Sequence, residues 1–271
     1  MKNEERFLWF AVTSVISHLD KLLLWDTGST DNTLEVVDAL KFFYPDKIEV
    51  KKIKNFSPKD FAAVRQQMLD ETEADWIFML DADEVWWDKS VKRAVKVARK
   101  GMGKYESIVV PTVNMVGDVF HHQEEEAGRY KLAGRLGHYN LRLVNKNIEG
   151  LASSGPHGTW GWVDSEGKMI QDREAKKIKF IDSPYLHATF LRRSANEAED
   201  SAVFKRSKKF KFELGKKFPN DFYYPEAFFK KRPDFIPSPW RPTTPLFNFR
   251  AFFETPARKI KRRLWQGKAG Y

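Results

Sequence analysis

The chain has 271 residues, with 47 Lys and Arg against 37 Asp and Glu (formal net charge +10), 42% hydrophobic content and no cysteine. This length fits one large α/β domain, or one domain with an appendage, and the apolar content is enough for a core. The missing cysteines exclude disulfides and thiolate metal sites, and no run approaches the ~18 consecutive apolar residues of a membrane-crossing helix.

Residues 3–18 read as a helix. Leu22-Leu23-Leu24-Trp25 is a short apolar run, the pattern of a buried strand over 21–25. It ends in eight small or polar residues, Asp26-Thr27-Gly28-Ser29-Thr30-Asp31-Asn32-Thr33. Gly28 permits a tight turn, and Ser29, Thr30 or Asp31 can cap a helix over 31–43. An ordinary strand–turn–helix junction needs only one or two of these residues. Asp26, at the strand end, could accept hydrogen bonds from a nucleobase N–H or a ribose hydroxyl. Ile48 to Ile53 alternates as a strand does, and 59–73 forms a helix with Phe61, Val64, Met68 and Leu69 on one face.

Trp76-Ile77-Phe78-Met79-Leu80 is the next buried strand, and it stops abruptly at Asp81-Ala82-Asp83-Glu84. Acids at such a strand end sit where open α/β sheets bind ligands. Asp81 and Asp83 are two apart, so an extended backbone sends both side chains to the same side. Two hard oxygen ligands there can hold Mg²⁺ or Mn²⁺ and leave positions open for phosphate oxygens. The competing reading is a solvated turn whose acids cap the next helix. That helix reads over 88–100, and Ser107–Val113 is a further strand. Alternating strands and helices imply a mostly parallel sheet with helices on its faces.

Taken together, Lys2-Asn3-Glu4-Glu5, Asp26–Thr33, Asp60-Phe61-Ala62-Ala63-Val64-Arg65 and Leu80-Asp81-Ala82-Asp83-Glu84 resemble a family-2 glycosyltransferase of the GT-A (Rossmann-like) fold. The resemblance covers about residues 1–190 and extends to bacterial lipopolysaccharide and cell-envelope glycan glycosyltransferases. It implies a hexosyltransferase using a nucleoside-diphosphate sugar (a UDP-sugar by default), Mg²⁺ or Mn²⁺, and inversion at the anomeric carbon. It implies a donor site including Asn3, Glu4, Asp26, Gly28, Ser29, Asp31, Arg65 and Asp81, with Asp26 on the base, Asp81 on the ribose side and Asp83 on the metal. The family usually has Asn after the arginine, where this chain has Gln66. It also has an apolar strand directly before the Lys-Asn-Glu-Glu stretch. Here that first strand is missing, and a true start further upstream is the expected explanation.

Tyr139–Val144 reads as a strand of the Arg-Leu kind that follows the metal motif in the family. Many relatives have His-Glu where this chain has His157-Gly158. His157 is the first candidate for the catalytic base, since its pKa lies near neutrality, and Glu84 is the second. The competing reading of His157 is a plain loop histidine. Tyr185–Phe190 is an apolar strand carrying His187, which resembles the late histidine that joins the metal in several GT-A enzymes. His121-His122 and Glu124–Glu126 are expected in a solvated loop over the acceptor cleft, without zinc.

Residues 205–271 hold 18 Lys and Arg against 5 Asp and Glu, a net of +13, which leaves −3 on the preceding residues. The chain therefore divides into a GT-A domain over 1–203 and a basic, aromatic- and Pro-rich appendage over 204–271. Five prolines from Pro233 to Pro245 break any long helix between them. Ala257–Trp265 reads as a short basic amphipathic helix able to touch an anionic membrane surface. Such contact would suit a glycan or lipid-linked acceptor and a cytoplasmic enzyme at the inner face of the plasma membrane. The competing reading is a helix packed back on the domain with its basic face in water. Base stacking and phosphate binding by this tail would make a nucleic-acid-binding protein. No usual nucleic-acid motif is present, and the acid-ended strands have no purpose in that account. A nucleotidyltransferase and an inactive relative are the remaining alternatives.

Overall fold

The computed structural model describes residues 1–264, so Trp265 lies outside the described residues. The first half alternates as expected, in the order α1 (Leu8–Val15), β1 (Leu22–Asp26), α2 (Thr33–Phe43), β2 (Ile48–Lys52), α3 (Phe61–Asp70), β3 (Trp76–Phe78), β4 (Glu84–Trp86), α4 (Asp88–Lys100) and β5 (Ser107–Val116). From there to residue 196 the chain has only strands and short 3₁₀ turns: β6 (Asp118–His122), β7 (Tyr130–Leu132), β8 (Arg135–Gly137), β9 (Tyr139–Asn145), β10 (Ala152–Ser154), β11 (Gly161–Val163), β12 (Ile178–Phe180) and β13 (Tyr185–His187). Then come α5 (Glu197–Ser201), α6 (Arg206–Lys209), β14 (Lys216–Lys217) and α7 (Pro245–Leu264).

The main sheet has eight strands and is mixed. Parallel pairing joins β1 to β2, and β5 to both β12 and β13, while β9 runs antiparallel to β3 and β5, and β4 antiparallel to β13. The mixed character has a simple cause. Among the described residues no long helix makes crossovers between the strands beyond β5, so β6 returns through a tight turn, and short returns give antiparallel pairs. His121 and His122 end β6 and pair with β14, where a solvated loop was expected.

The helix expected over 3–18 begins only at Leu8, because Asn3 has a left-handed φ of 53° and residues 4–7 form a turn. Every residue of α1 is buried, and its two polar side chains, Thr13 and Ser14, donate to the carbonyls of Trp9 and Ala11. It packs against α2 and β4, and Phe10 meets Phe228 edge-on at 5.3 Å. Phe218, Ala227, Phe228 and Ile236 thus share one core with α1 and β1, so residues beyond 204 wrap the domain and help build it.

Among the described residues no strand joins β1–β2 to the main sheet. Leu22 and Leu23 of β1 and Trp76–Leu80 at β3 instead line one cavity of about 630 Å³. Residues 1–3 run past the end of β1. The Met1 ammonium donates to Trp25 O at 2.7 Å, and Thr27 N donates to Met1 O at 2.9 Å.

Gly128 holds the β7–β8 hairpin close. A Cβ there would stand 2.3 Å from backbone atoms of Gly137 and His138. Gly128→Ala is expected to lower stability by about 1–3 kcal/mol, the usual cost of overpacking. Chemical denaturation checks it; an unchanged midpoint would mean that the hairpin yields freely.

Candidate active site

β3 delivers Asp81, Ala82 and Asp83 to a turn closed by Glu84 N donating to Asp81 O at 3.1 Å. The backbone here is a turn and not the extended segment expected from the spacing, yet both carboxylates still reach one place. The antiparallel register of β13 on β4 sets His187 opposite Glu84, and Ala188 N donates to Asp83 O at 2.8 Å. This brings His187 Nε2 to 3.3 Å from Asp83 Oδ2. Asp81, Asp83 and His187 each offer a ligand atom, all within 4.8 Å of one another.

Cations crowd these acids. Arg193 Nη1 lies 2.9 Å from Asp83 Oδ2, Arg142 Nη2 lies 3.0 Å from Asp81 Oδ2, and Arg65 Nη2 lies 3.9 Å from Asp81 Oδ1. Arg65 stands beside the paired rings of Phe61 and Trp160, 5.4 Å from each centroid. Glu84 is completely buried and ion-paired to Arg142, whose Nε also donates to Tyr185 OH at 3.2 Å. Burial works against ionisation of Asp83, but Arg193 and His187 outweigh it and hold this carboxyl well below the usual range. Asp81 is held low in the same way, by Arg142 against burial. For Glu84 burial wins over Arg142 and pushes the carboxyl up to about 8.

The residues present suit a divalent cation. Two hard carboxylates and an imidazole converge, and buried Asp83 Oδ2 accepts no hydrogen bond despite its cationic neighbours.

The expected donor-side residues form one polar assembly that ties residues 1–5 to 26–33 and to 193–206. Gly28 has φ +92°, which lets the turn fold back onto Asp26. Asp26 accepts from Gly28 N at 2.9 Å, Ser29 N at 3.1 Å and Ser29 Oγ at 2.5 Å, so both its oxygens are engaged inside its own loop. Ser29 Oγ in turn accepts from Asn3 N at 2.9 Å. Asn3 accepts from Thr30 N and donates to Glu199 O, both at 2.8 Å. Asp31 accepts from Thr33 N at 3.0 Å at the start of α2 and from Ser194 Oγ at 2.7 Å. Glu4 lies between Arg193 and Arg206, and burial still pushes it up to about 7. These residues shape the loop beside the acids, and among the described residues the ion pair within the donor set is that of Arg65 with Asp81.

His157 stands apart on a loop, with its ring edge-on to Phe61 (4.9 Å) and Phe204 (5.3 Å). Burial, then Lys209 and Lys205, lower its pKa below the usual histidine value. At Gly158, where the resemblance leads to the expectation of Glu, the Lys205 ammonium fills the side-chain space, 2.5 Å from where a Cβ would stand. Gln66, in place of the family Asn, accepts from Ser153 N at 2.9 Å and so ties α3 to β10.

Sequence reading missed Arg142, Arg193 and Arg206 as site residues. The signal available was general: several acids destined for burial must find cations.

Over 98 residues the chain is 31% identical to the SPbeta prophage-derived glycosyltransferase SunS of Bacillus subtilis (strain 168), and equally to glycosyltransferase SunS of Bacillus phage SPbeta. Each match takes in 36% of this chain and 22% of the relative, so the chain matches about a fifth of the length of these curated relatives. The crystal structure of S. aureus TarS 1–349 gives a TM-score of 0.43 at 12% identity, over 70% of this chain and 58% of that one. The same TarS fragment in complex with UDP gives 0.43 at 12% identity, over 69% and 58%. The family model for glycosyl transferase family 2 matches residues 1–154, more than half of the 271 residues, and the chain therefore belongs to glycosyltransferase family 2, its mixed α/β sheet being a GT-A fold.

Proposed function

We propose that this protein transfers a sugar from a nucleoside-diphosphate sugar to a glycan or lipid-linked acceptor, with inversion at the anomeric carbon. The observation that carries the reading is the convergence of Asp81, Asp83 and His187 at the ends of β3 and β13 in a family-2 chain. In the reaction the acceptor oxygen bonds to the anomeric carbon while the sugar–phosphate bond breaks, and the electron pair leaves on the diphosphate. Mg²⁺ or Mn²⁺ held by Asp83, Asp81 and His187 would neutralise that leaving group as a Lewis acid.

The protein's own groups have distinct tasks in this reading. Arg65, set against two aromatic rings, supplies a fixed positive charge to the donor side. Arg142 and Glu84 keep Asp81 in place, so Glu84 is a positioning residue here and not the base. His157, with its pKa below the usual value, is neutral at pH 7 and able to take the acceptor proton. Asp26 and Ser29 fix the loop that would face the nucleotide.

Calorimetric titration of UDP, with GDP and CDP as controls and with and without Mn²⁺, tests the reading. One nucleotide is expected to bind in a metal-dependent way. No binding by any of the three, with or without metal, would refute it.

A further inference from the structure

The helix α7 departs from the sequence reading in length and in orientation. It starts at Pro245, not Ala257, and spans 20 residues, about 30 Å. Its inward face carries Phe247, Ala251 and Thr255. Phe247 packs on Phe212 at 5.2 Å, and Thr255 Oγ1 accepts from Leu214 N at 2.8 Å. Part of the basic face also turns inward, since Arg262 pairs with Glu124 (2.9 Å) and with buried Glu213 (2.5 Å). The helix is thus packed back on the domain, with Arg262 turned inward while Arg250, Lys261 and Arg263 stay exposed.

What faces outward is apolar. Leu246, Phe249, Phe252, Phe253, Ile260 and Leu264 are 56–79% exposed. At about 100° per residue these six fall within an arc of about 120°, opposite the anchored face. Arg250 and Lys261 follow one margin of the stripe, and Lys259 and Arg263 the other. The helix has six basic residues and one acid, Glu254, which already pairs with Arg250 and Arg258. Single exposed apolar residues are ordinary, but a continuous stripe of this length is not.

We propose that α7 lies flat on an anionic lipid bilayer, with the Leu246–Leu264 stripe inserted at the headgroup boundary and the flanking Arg and Lys on lipid headgroups. The stripe lies on the exposed side of a helix fixed from behind, which suits a plane. Cationic margins on an apolar face complement negatively charged headgroups, and both apolar area and charge contribute to such binding. Docking would bring the domain to acceptors that are themselves lipid-linked. The proposal does not depend on the donor chemistry, because lipid binding is read without any glycosyl transfer.

The test is co-sedimentation of the full chain with vesicles of phosphatidylcholine alone and of phosphatidylcholine with phosphatidylglycerol. Binding is expected on the anionic vesicles, falling as salt rises. Replacing Phe249, Phe252 and Phe253 together by Ser is expected to weaken it by roughly tenfold or more. Lys261→Ser with Arg263→Ser is expected to do the same on anionic vesicles. All substituted side chains are exposed, and circular dichroism checks that the variants fold. Absence of binding to anionic vesicles, or binding that the triple Phe variant leaves intact, would overturn the proposal. A wild-type dimer in analytical ultracentrifugation that the Phe variant dissociates, without vesicle binding, would assign the stripe to a second copy of the chain instead.

Discussion

Asp83→Ala is expected to remove the metal-dependent part of nucleotide binding while leaving the fold in place. Asp83 is buried, held as a carboxylate by Arg193 and His187, and has one oxygen that accepts no hydrogen bond. Outer-sphere partners of a bound metal are worth about 10–100-fold in affinity, so losing a direct carboxylate ligand should cost about 100-fold or more. His187→Ala should cost less, because two carboxylates would remain. The variant should still fold, since Arg193 keeps its pairing with Glu4 at 3.1 Å. The measurement is the ratio of nucleotide affinities with and without Mn²⁺. If Asp83→Ala leaves that ratio unchanged, the assignment of the acid cluster as a metal centre is wrong.

Arg206→Met is expected to destabilise the protein by about 3–5 kcal/mol, the range seen when one partner of a buried ion pair is removed. Arg206 pairs with Glu4 and Asp200 and donates to the carbonyls of Lys2 and Asn3, so a single side chain clamps the start of the chain to its last third. The loss should depend on pH, with a sign set by Glu4. Its carboxyl is raised from 4.5 to about 7 in the folded protein, so the folded state favours the neutral acid. Stability from this group is fully present below pH 4.5 and is lost as pH rises through about 7. Without Arg206 the carboxyl should rise further, so the variant's deficit should be largest at pH 8 and shrink toward pH 5. Adding Glu4→Gln should recover part of the loss at pH 8, because no uncompensated charge is left buried. Denaturant midpoints of the wild type, of Arg206→Met and of Arg206→Met with Glu4→Gln across this range provide the check. A deficit independent of pH would mean that Arg206 acts through packing and its carbonyl bonds alone.

Much of the fold was legible because strand and helix periods are local properties. The runs Leu22–Trp25 and Trp76–Leu80 are strands within a residue or two, and the helix over 88–100 is found at Asp88–Lys100. The mixed sheet was less legible. Its antiparallel half depends on which strands meet after residue 116, and no local pattern encodes that choice. The length of α7 was missed because four prolines from Pro233 to Pro242 upstream, Pro245 at its start and Pro256 within it argue against a helix, yet Pro245 is tolerated at the first position and tertiary packing carries the rest.

The sequence by itself determined where the acids stand. An apolar strand that stops at Asp81-Ala82-Asp83-Glu84 must gather those carboxylates at its end, where a buried charge needs a partner. Only the tertiary structure decided which groups answer them. The β4–β13 register brings His187 to Asp83, β9 brings Arg142 to Asp81 and Glu84, and the segment after β13 brings Arg193 and Arg206 to Glu4. It also turned Asp26 into the keystone of its own loop, and it turned the apolar side of α7 outward. Charge pairing and burial are decided between residues far apart in the chain, and such partners are fixed only when the strands find their register.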